Sequence, residues 1–538
     1  MPIFDFIIIG AGSAGCVLAN RLTACGRYSV LLLEAGGSDR RFWIQVPIGY
    51  GKAFYDKRVN WMYRTEPEPG LGGRQGYWPR GKVLGGSSSI NAMVYIRGQP
   101  DDFDDWQAQG NPGWGWRDVL PYFRRSEDGN HAADAWHGVG GPLYVSDVSK
   151  ELHPLCEIFL KAGAELGLPR NPDFNGAAQE GVGLYRITAR NGLRMSASRA
   201  FLRPAMARKN LRVETGAHAT RILFNGLRAL GVEYVHRRDK CTATARCEVI
   251  LAAGAINSPQ LLQLSGIGPS DVLDPLGVPV LRCVESVGRQ LQDHLCIDHL
   301  YRARRPTLNN ELRPWWGKLR AGIEYLALRR GPLALSVNQG GGFIRSRPGL
   351  ARPNMQLYFS PLSYSKAPPG KRPLMSPDPY PGFLLSAQPC RPTSRGYVKI
   401  KSSDPFESPA IVPNSLATDH DLREMLEGAR FLRRLAAAPS FAALIEMELQ
   451  PGIAVQSDEA LLDDIRRRCS TVFHPVGTCR MGPDPSQAVV DPRLRVHGTD
   501  GLRIIDASVF PSITSGNTNA PVIMVAEKGA DLVLEDAR

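Results

Sequence analysis

Residues 4–34 read FDFIIIGAGSAGCVLANRLTACGRYSVLLLE, and the order of signals in them decides the fold. Phe4 to Ile9 is a short β-rich run. Gly10, Gly12 and Gly15 follow, and the CVLANRLTA stretch behind them has helical spacing, with Val17, Leu18 and Leu22 on one face. Tyr28 to Leu33 is a second strand, ending at Glu34. Strand, glycine turn, helix, strand and acid form a dinucleotide cradle. Gly10 permits the tight turn, Gly12 lets backbone approach a pyrophosphate, and Gly15 allows helix to pack closely on strand. Ser13 and Ala14 open the helix, whose free N–H groups and partial positive charge suit phosphate. Glu34 stands 19 residues after Gly15, where an acid accepts hydrogen bonds from ribose hydroxyls. This motif does not separate FAD from NAD.

Three other regions bear on that choice. Residues 80–98, RGKVLGGSSSINAMVYIRG, put two glycines and three serines in a loop able to approach a flat ligand with backbone and hydroxyl donors. Residues 254–268, GAINSPQLLQLSGIG, follow the strand-like EVILAA and read as strand, turn and helix, with Ser258 as cap and Pro259 in the first turn. Near the C-terminus stand HPVGTCRMG (474–482) and IDASVFPSITSGNTNAPVIMVAEK (505–528). There Asn519 just ahead of Pro521 marks a helix start. Pro475 biases His474 to an extended backbone, which helps fix its ring.

These stretches, with VGRQLQDH (287–294) and SRGYVKIKSSDP (394–405), resemble the blocks of the glucose–methanol–choline (GMC) oxidoreductases, in family order, from about residue 4 to residue 535. The resemblance implies FAD as cofactor and alcohol oxidation as reaction. His474 and Asn517 match the family's active-site pair. A neutral imidazole can take a hydroxyl proton near pH 7 while hydride passes to flavin N5, and an amide can hold the oxygen in place. By the same resemblance Ala35 lies beside Glu34 near the adenosine ribose, and Ala219 lies against the adenine. The loop with Gly81, Val83, Gly85, Gly86 and Ser87 runs along the isoalloxazine ring, followed by Asn91, Ala92, Met93 and Val94. Ala253, just ahead of the second signature segment, and Gly254, which opens it, join the cofactor set. Asp506 and Ala507 meet the pyrophosphate–ribityl part, and Asn519 opens a helix aimed at the flavin N1–C2 edge. Some members bind FAD covalently through a histidine just before the loop asparagine. Ile90 stands there, so non-covalent FAD is expected.

A chain of 538 residues suggests two lobes. The expected class is α/β (α+β overall): a discontinuous Rossmann-like FAD-binding domain of 1–150, 193–300 and 471–538, and a substrate-binding lobe of 151–192 and 301–470. The resemblance gives that lobe an antiparallel sheet with helices, and the Pro- and Gly-rich stretch 330–412, with alternation such as YVKIK, fits strands and turns.

Sixty-five basic against 52 acidic residues give +13, but without long like-charge blocks, so no nucleic-acid partner is expected. Ten cysteines scattered without CxxC read as reduced thiols of a cytosol-like compartment. The N-terminus reads as a strand and not a signal peptide, and no apolar run spans a membrane. A cytoplasmic location is expected, with peripheral contact to the inner face of a membrane left open. Asp293, His294, Asp298 and His299 lack metal-site spacing, and no metal is expected. Trp106, Trp114 and Trp116 read as packing residues, and Cys479 as a buried structural thiol.

Residues 171–202 resemble the branch holding choline dehydrogenase and bacterial dehydrogenases of aliphatic primary alcohols. A non-choline primary alcohol is preferred, because no aromatic cage with a carboxylate is assignable from sequence. Wall residues are sought in 301–345 and 355–390. The electron acceptor is open between a quinone, another carrier and oxygen, and no oligomeric state is implied. The alternatives are choline dehydrogenase, an oxygen-using alcohol oxidase, an FAD-binding lyase on the same fold, an NAD enzyme using the first motif alone, and a non-catalytic binding protein.

Overall fold

The computed structural model describes residues 2–365 and 376–537. Strand Ile3–Ile9 lies near the middle of a seven-stranded sheet, with Phe6, Ile7 and Ile8 fully buried. Such a continuous apolar run is what a strand covered on both faces requires. Val30–Glu34 and Leu211–Thr215 follow in parallel on one side, and Asp239–Leu251 is parallel on the other. That last strand is long enough to serve two neighbours. Its first half pairs antiparallel with Arg228–His236, and its last three residues pair parallel with Leu502–Ile504. Helix Ser13–Leu22 covers one face of this sheet together with the C-terminal helix Asn519–Asp536. The second strand begins at Val30 rather than Tyr28, because Asn210 takes the Tyr28 carbonyl and Asp5 takes Ser29.

A second seven-stranded sheet is antiparallel throughout. Its strands are Gly181–Leu184, Gly340–Ile344, Met355–Ser360, Gly382–Pro389, Leu295–Ala303, Ile445–Gln450 and Ser470–Thr471. One face packs on helix Asp419–Ala437 through Ile297, Leu357, Phe359, Phe383 and Leu385. The alternate residues look the other way, towards the first domain. The fold is the expected pairing of a Rossmann-like α/β domain with a lobe built on an antiparallel sheet.

Helix Gly254–Leu264 begins four residues ahead of the expected cap. Asp506 explains the shift: its carboxylate accepts from Gly254 N at 2.8 Å and from Ser258 Oγ at 2.6 Å, so Ser258 lies inside the helix and bonds away from it. Pro259 is then an interior proline, which leaves the Ala255 carbonyl without its helical donor. The Thr478 hydroxyl supplies that donor at 2.7 Å. Trp106 and Trp114 are fully buried, their indole N–H groups on the Ser512 and Pro492 carbonyls, and Cys479 is fully buried as well. Trp116 is half-buried in the same aromatic cluster. No helix of the described residues is long and apolar enough to cross a membrane.

Candidate active site

A cavity of about 880 Å³ runs between the two sheets. That is near the top of the range for small-molecule and cofactor sites. At one end it opens on the glycine turn. Gly10 takes φ +100°, and a Cβ on Gly15 would stand 1.9 Å from the Gly10 carbonyl oxygen, so Gly15 serves packing and does not reach the cavity. A Cβ on Gly12 would meet only the Ala252 carbonyl oxygen, at 3.8 Å, an ordinary van der Waals contact, so the fold itself has room for it. Helix Ser13–Leu22 has no side-chain cap, and Gly12, Ser13 and Ala14 face the cavity. The helix opening at Asn519 is uncapped too, and Thr518 and Asn519 also face the cavity. Ser13 Oγ donates to Asn519 Oδ1 at 2.7 Å and ties the two helix starts together. Two free helix N-termini give a donor set suited to an anionic, flat dinucleotide.

The other expected cofactor residues divide as follows. Glu34, Ala35, Ala219, Ala253 and Gly254 line the same end. The Glu34 carboxyl accepts from Ala11 N and Gly36 N, and burial pushes its pKa up to about 7. Gly81, Gly86, Ser87 and Asn91 to Val94 line the middle, beside Ile90. Val83 and Gly85 do not reach the cavity. Val83 packs among Ile44, Ala53, Val59 and Ile90, and Gly85 N donates to the Ala11 carbonyl. Asp506 and Ala507 reach it, but the Asp506 carboxylate is held by Gly254, Ser258 and Ser508.

At the far end His474 and Asn517 come together, with His474 Nε2 3.2 Å from Asn517 Nδ2. The amide is aimed by Gln356, whose Nε2 donates to Asn517 Oδ1. On the other side of the ring, His474 Nδ1 lies 3.1 Å from His294 Nδ1. His294 Nε2 faces the Cys390 carbonyl at 2.8 Å. A carbonyl only accepts, so His294 carries its proton on Nε2. Burial lowers the His294 pKa to about 4, so the ring is neutral and its Nδ1 is a lone pair. His474 must then donate from Nδ1, which leaves Nε2 as a free base facing the cavity. Burial, then His294 and Arg80, hold the His474 pKa well below the usual histidine value.

The backbone around this ring is clamped. Asp293 accepts from His474 N at 2.7 Å and from the Thr471 hydroxyl, and Arg80 donates to the Phe473 carbonyl at 2.6 Å. Phe473 has φ +71°, a conformation that a residue with a Cβ adopts at a cost, and these bonds maintain it. Asp293, buried, is raised to about 7. Sequence reasoning missed His294, Asp293 and Arg80 as parts of the site, although VGRQLQDH and RGKVLGG contain all three. Asp293, His294, Asp298 and His299 do not converge: Asp298 accepts from Ser386 Oγ, and His299 faces Tyr301. Elsewhere Glu127, His131 and His137 bring possible ligand atoms within 4.8 Å of one another. There Glu127 pairs with buried Arg97, and His137 with Asp173.

The chamber in front of His474 is walled by alternate residues of three neighbouring strands: Cys296 and Asp298, Ser386 and Leu384, Tyr358 and Ser360. Tyr50, Phe54, Tyr55 and Tyr364 complete it. Val337 and Asn338 lie within the first segment searched for walls and Tyr358 to Ser386 within the second, of which 366–375 falls outside the described residues.

The GMC oxidoreductase models match residues 4–296 and 392–526. The chain is 43% identical over 537 residues to an alcohol dehydrogenase [acceptor] of Pseudomonas putida, covering 99% of this chain and 96% of that one. It is 43% identical over 542 residues to the mitochondrial choline dehydrogenase of Homo sapiens, covering 98% and 89%. A solved variant of the Aspergillus oryzae RIB40 formate oxidase, made to study FAD modification, superposes with TM-score 0.92 at 28% identity, covering 99% and 98%. With both halves of the family pattern matched and the cradle and histidine–asparagine pair in one cavity, the chain belongs to the GMC oxidoreductase family of FAD-dependent enzymes acting on CH–OH groups.

Proposed function

We propose that the protein oxidises a primary alcohol to the aldehyde, with His474 Nε2 as proton acceptor. The observation that carries this reading is the chain from the Cys390 carbonyl through His294 to His474, which leaves one unprotonated nitrogen beside Asn517. Bound FAD supplies the acceptor for the hydride. The alcohol proton passes to Nε2 as the C–H electron pair leaves with the hydride, and the carbon–oxygen bond becomes a carbonyl. Asn517 Nδ2 holds the oxygen, and Gln356 holds Asn517.

In this reading the segments 1–150, 193–300 and 471–538 hold the cofactor and the remainder covers it. The N–H groups of Gly12 to Ala14 take the diphosphate, Glu34 and Ala35 the ribose, and Ala219 the adenine. The helix start at Asn519 takes the flavin carbonyl edge. Ile90 supports a non-covalent cofactor, because its side chain cannot form the bond. The reoxidant is a quinone, another carrier or oxygen.

A cationic alcohol such as choline is the second reading. Tyr50, Tyr55, Tyr358 and Tyr364 line the chamber with the carboxylate of Asp298, and aromatic faces with an acid attract quaternary ammonium. The test is anaerobic titration of the holoenzyme with choline and with short, long and aromatic alcohols, read as flavin bleaching. Bleaching by uncharged primary alcohols supports the first reading, and bleaching by choline alone supports the second. A flavin that no alcohol reduces removes both. His474→Ala should keep FAD and lose orders of magnitude in reduction rate, and near-normal reduction removes His474 from the chemistry.

A further inference from the structure

Helix Trp315–Leu328, WWGKLRAGIEYLAL, carries its large apolar residues on the outside. Its buried stripe is Gly317, Ala321 and Tyr325, four residues apart. Ala321 shares a cluster with Tyr50, Leu308 and Val337, and Tyr325 packs with Val46 and Ala334. On the other side Trp315 is 76% exposed, Trp316 56%, Leu319 54%, Ile323 59% and Leu326 61%. At about 100° per residue these five fall within an arc of about 100°, turned away from the buried stripe. Lys318 and Arg320 stand at the two edges of that arc, and both are exposed. From 311 to 330 the chain has five basic residues (Arg313, Lys318, Arg320, Arg329, Arg330) and two acidic ones (Glu311, Glu324), a net +3. Helix Phe42–Gln45, whose following residue Val46 packs with the buried Tyr325, also exposes Phe42 at 51% and Trp43 at 39%, after exposed Arg40 and Arg41.

Contiguous apolar surface of this kind marks an interaction site. The charges select the occupant. A second copy seated on the same face would bring basic rim against basic rim, which a self-complementary interface penalises. An anionic lipid surface complements the rim, and tryptophans beside lysine and arginine suit the headgroup–acyl boundary.

We propose that this face docks the protein on an anionic phospholipid surface, with Trp315, Trp316, Leu319, Ile323 and Leu326 entering the boundary layer. The buried side of the same helix packs on Tyr50 and Val337, which line the cavity, so docking sets the chamber close to the bilayer. The inference does not depend on which alcohol is oxidised.

The experiment is flotation of the holoenzyme with vesicles of phosphatidylcholine alone, and of phosphatidylcholine with phosphatidylglycerol. Binding is expected only with the anionic lipid, and it should weaken as salt is added. Each basic residue near such a surface is worth about fivefold in affinity, so Lys318→Glu with Arg320→Glu should cost at least about 25-fold. The triple variant Trp315→Ser, Leu319→Ser and Ile323→Ser should stay in the soluble fraction while keeping bound FAD and normal flavin reduction. The proposal falls if the wild type does not float with anionic vesicles, or if the triple variant floats equally well. It also falls if light scattering finds a wild-type dimer that the triple variant splits, because the face then belongs to a second copy.

Discussion

Replacing His294 by phenylalanine tests the proton logic of the site while nearly conserving ring size. In the native protein His294 Nδ1 accepts from His474 Nδ1 at 3.1 Å, which keeps His474 Nε2 unprotonated. Phenylalanine offers no acceptor. A proton on His474 Nδ1 would then be buried without a partner, at a cost of about 1–3 kcal/mol. The ring escapes that cost by moving its proton to Nε2, where it can no longer take one from substrate. The base-competent fraction should therefore fall about 5- to 150-fold, at about 1.4 kcal/mol per tenfold. The assay is anaerobic stopped-flow reduction of bound flavin at saturating alcohol, in variants whose FAD content matches wild type. His294→Asn supplies the control, because an amide oxygen near the Nδ1 position can still accept from His474. It should recover most of the rate although it loses the bond to the Cys390 carbonyl. Wild-type reduction by His294→Phe would refute the reasoning. Equal slowing by Phe and Asn would assign His294 to packing rather than to positioning.

Gly12→Ala should give a folded protein low in flavin, since its Cβ meets the fold only at an ordinary 3.8 Å contact but sits on the cavity lining, whereas Gly15→Ala should impair folding because its Cβ meets the Gly10 carbonyl at 1.9 Å; flavin-to-protein absorbance and circular dichroism separate the two, and a yellow Gly12→Ala protein would contradict the cradle assignment. Acid precipitation of the wild type should leave all flavin in the supernatant, and a yellow pellet would contradict the non-covalent reading of Ile90. His299 is fully buried, its Nε2 has no hydrogen-bond partner, and burial lowers its pKa to about 3. The unfolded chain takes up this proton below the usual histidine value of about 6.5 while the folded one does not, so the stability linked to it is present above about pH 6.5 and is lost as pH falls towards about 3. His299→Phe should therefore reduce the stability lost between pH 7 and pH 5 by about 2 kcal/mol, read from urea midpoints at the two pH values, and an unchanged loss would contradict the burial of a neutral ring.

What the sequence disclosed is chemistry held within a few neighbouring residues. Gly10, Gly12 and Gly15 act through their own backbone, so their spacing was enough to place a cradle. His474 and Asn517 were legible only because long motifs surround both. The residues that went unread act across the chain. His294 meets His474 at a separation of 180 residues, and its tautomer is set by a backbone carbonyl whose direction no side chain at Cys390 encodes. Ser258 obeyed the local rule for a cap, but Asp506, 248 residues on, claimed it. Pro259 reads locally as a first-turn proline, because nothing near it announces the Thr478 hydroxyl that compensates it inside the helix.

Periodicity has a related limit: it gives the repeat of a pattern without its direction. Strands Met355–Ser360 and Gly382–Pro389 are buried on both faces, so their sequences could not say that Tyr358, Ser360, Leu384 and Ser386 turn to the chamber while Leu357, Phe359, Phe383 and Leu385 turn to the core. Helix Trp315–Leu328 has two apolar stripes, one of small residues with Tyr325 and one dominated by tryptophan, leucine and isoleucine. Burial energy scales with apolar area, so the larger stripe is the natural choice for the core. The structure reverses that choice: the small Ala321 packs with Tyr50 and Val337, which line the cavity, and Gly317 lies against the Glu311 carbonyl just ahead of the helix. A Cβ on Gly317 would stand 2.0 Å from the Glu311 carbonyl oxygen, so that glycine fixes how closely the start of the helix lies against the turn before it. The cost of leaving the larger stripe in water is what makes an external apolar phase the physically consistent partner for this face.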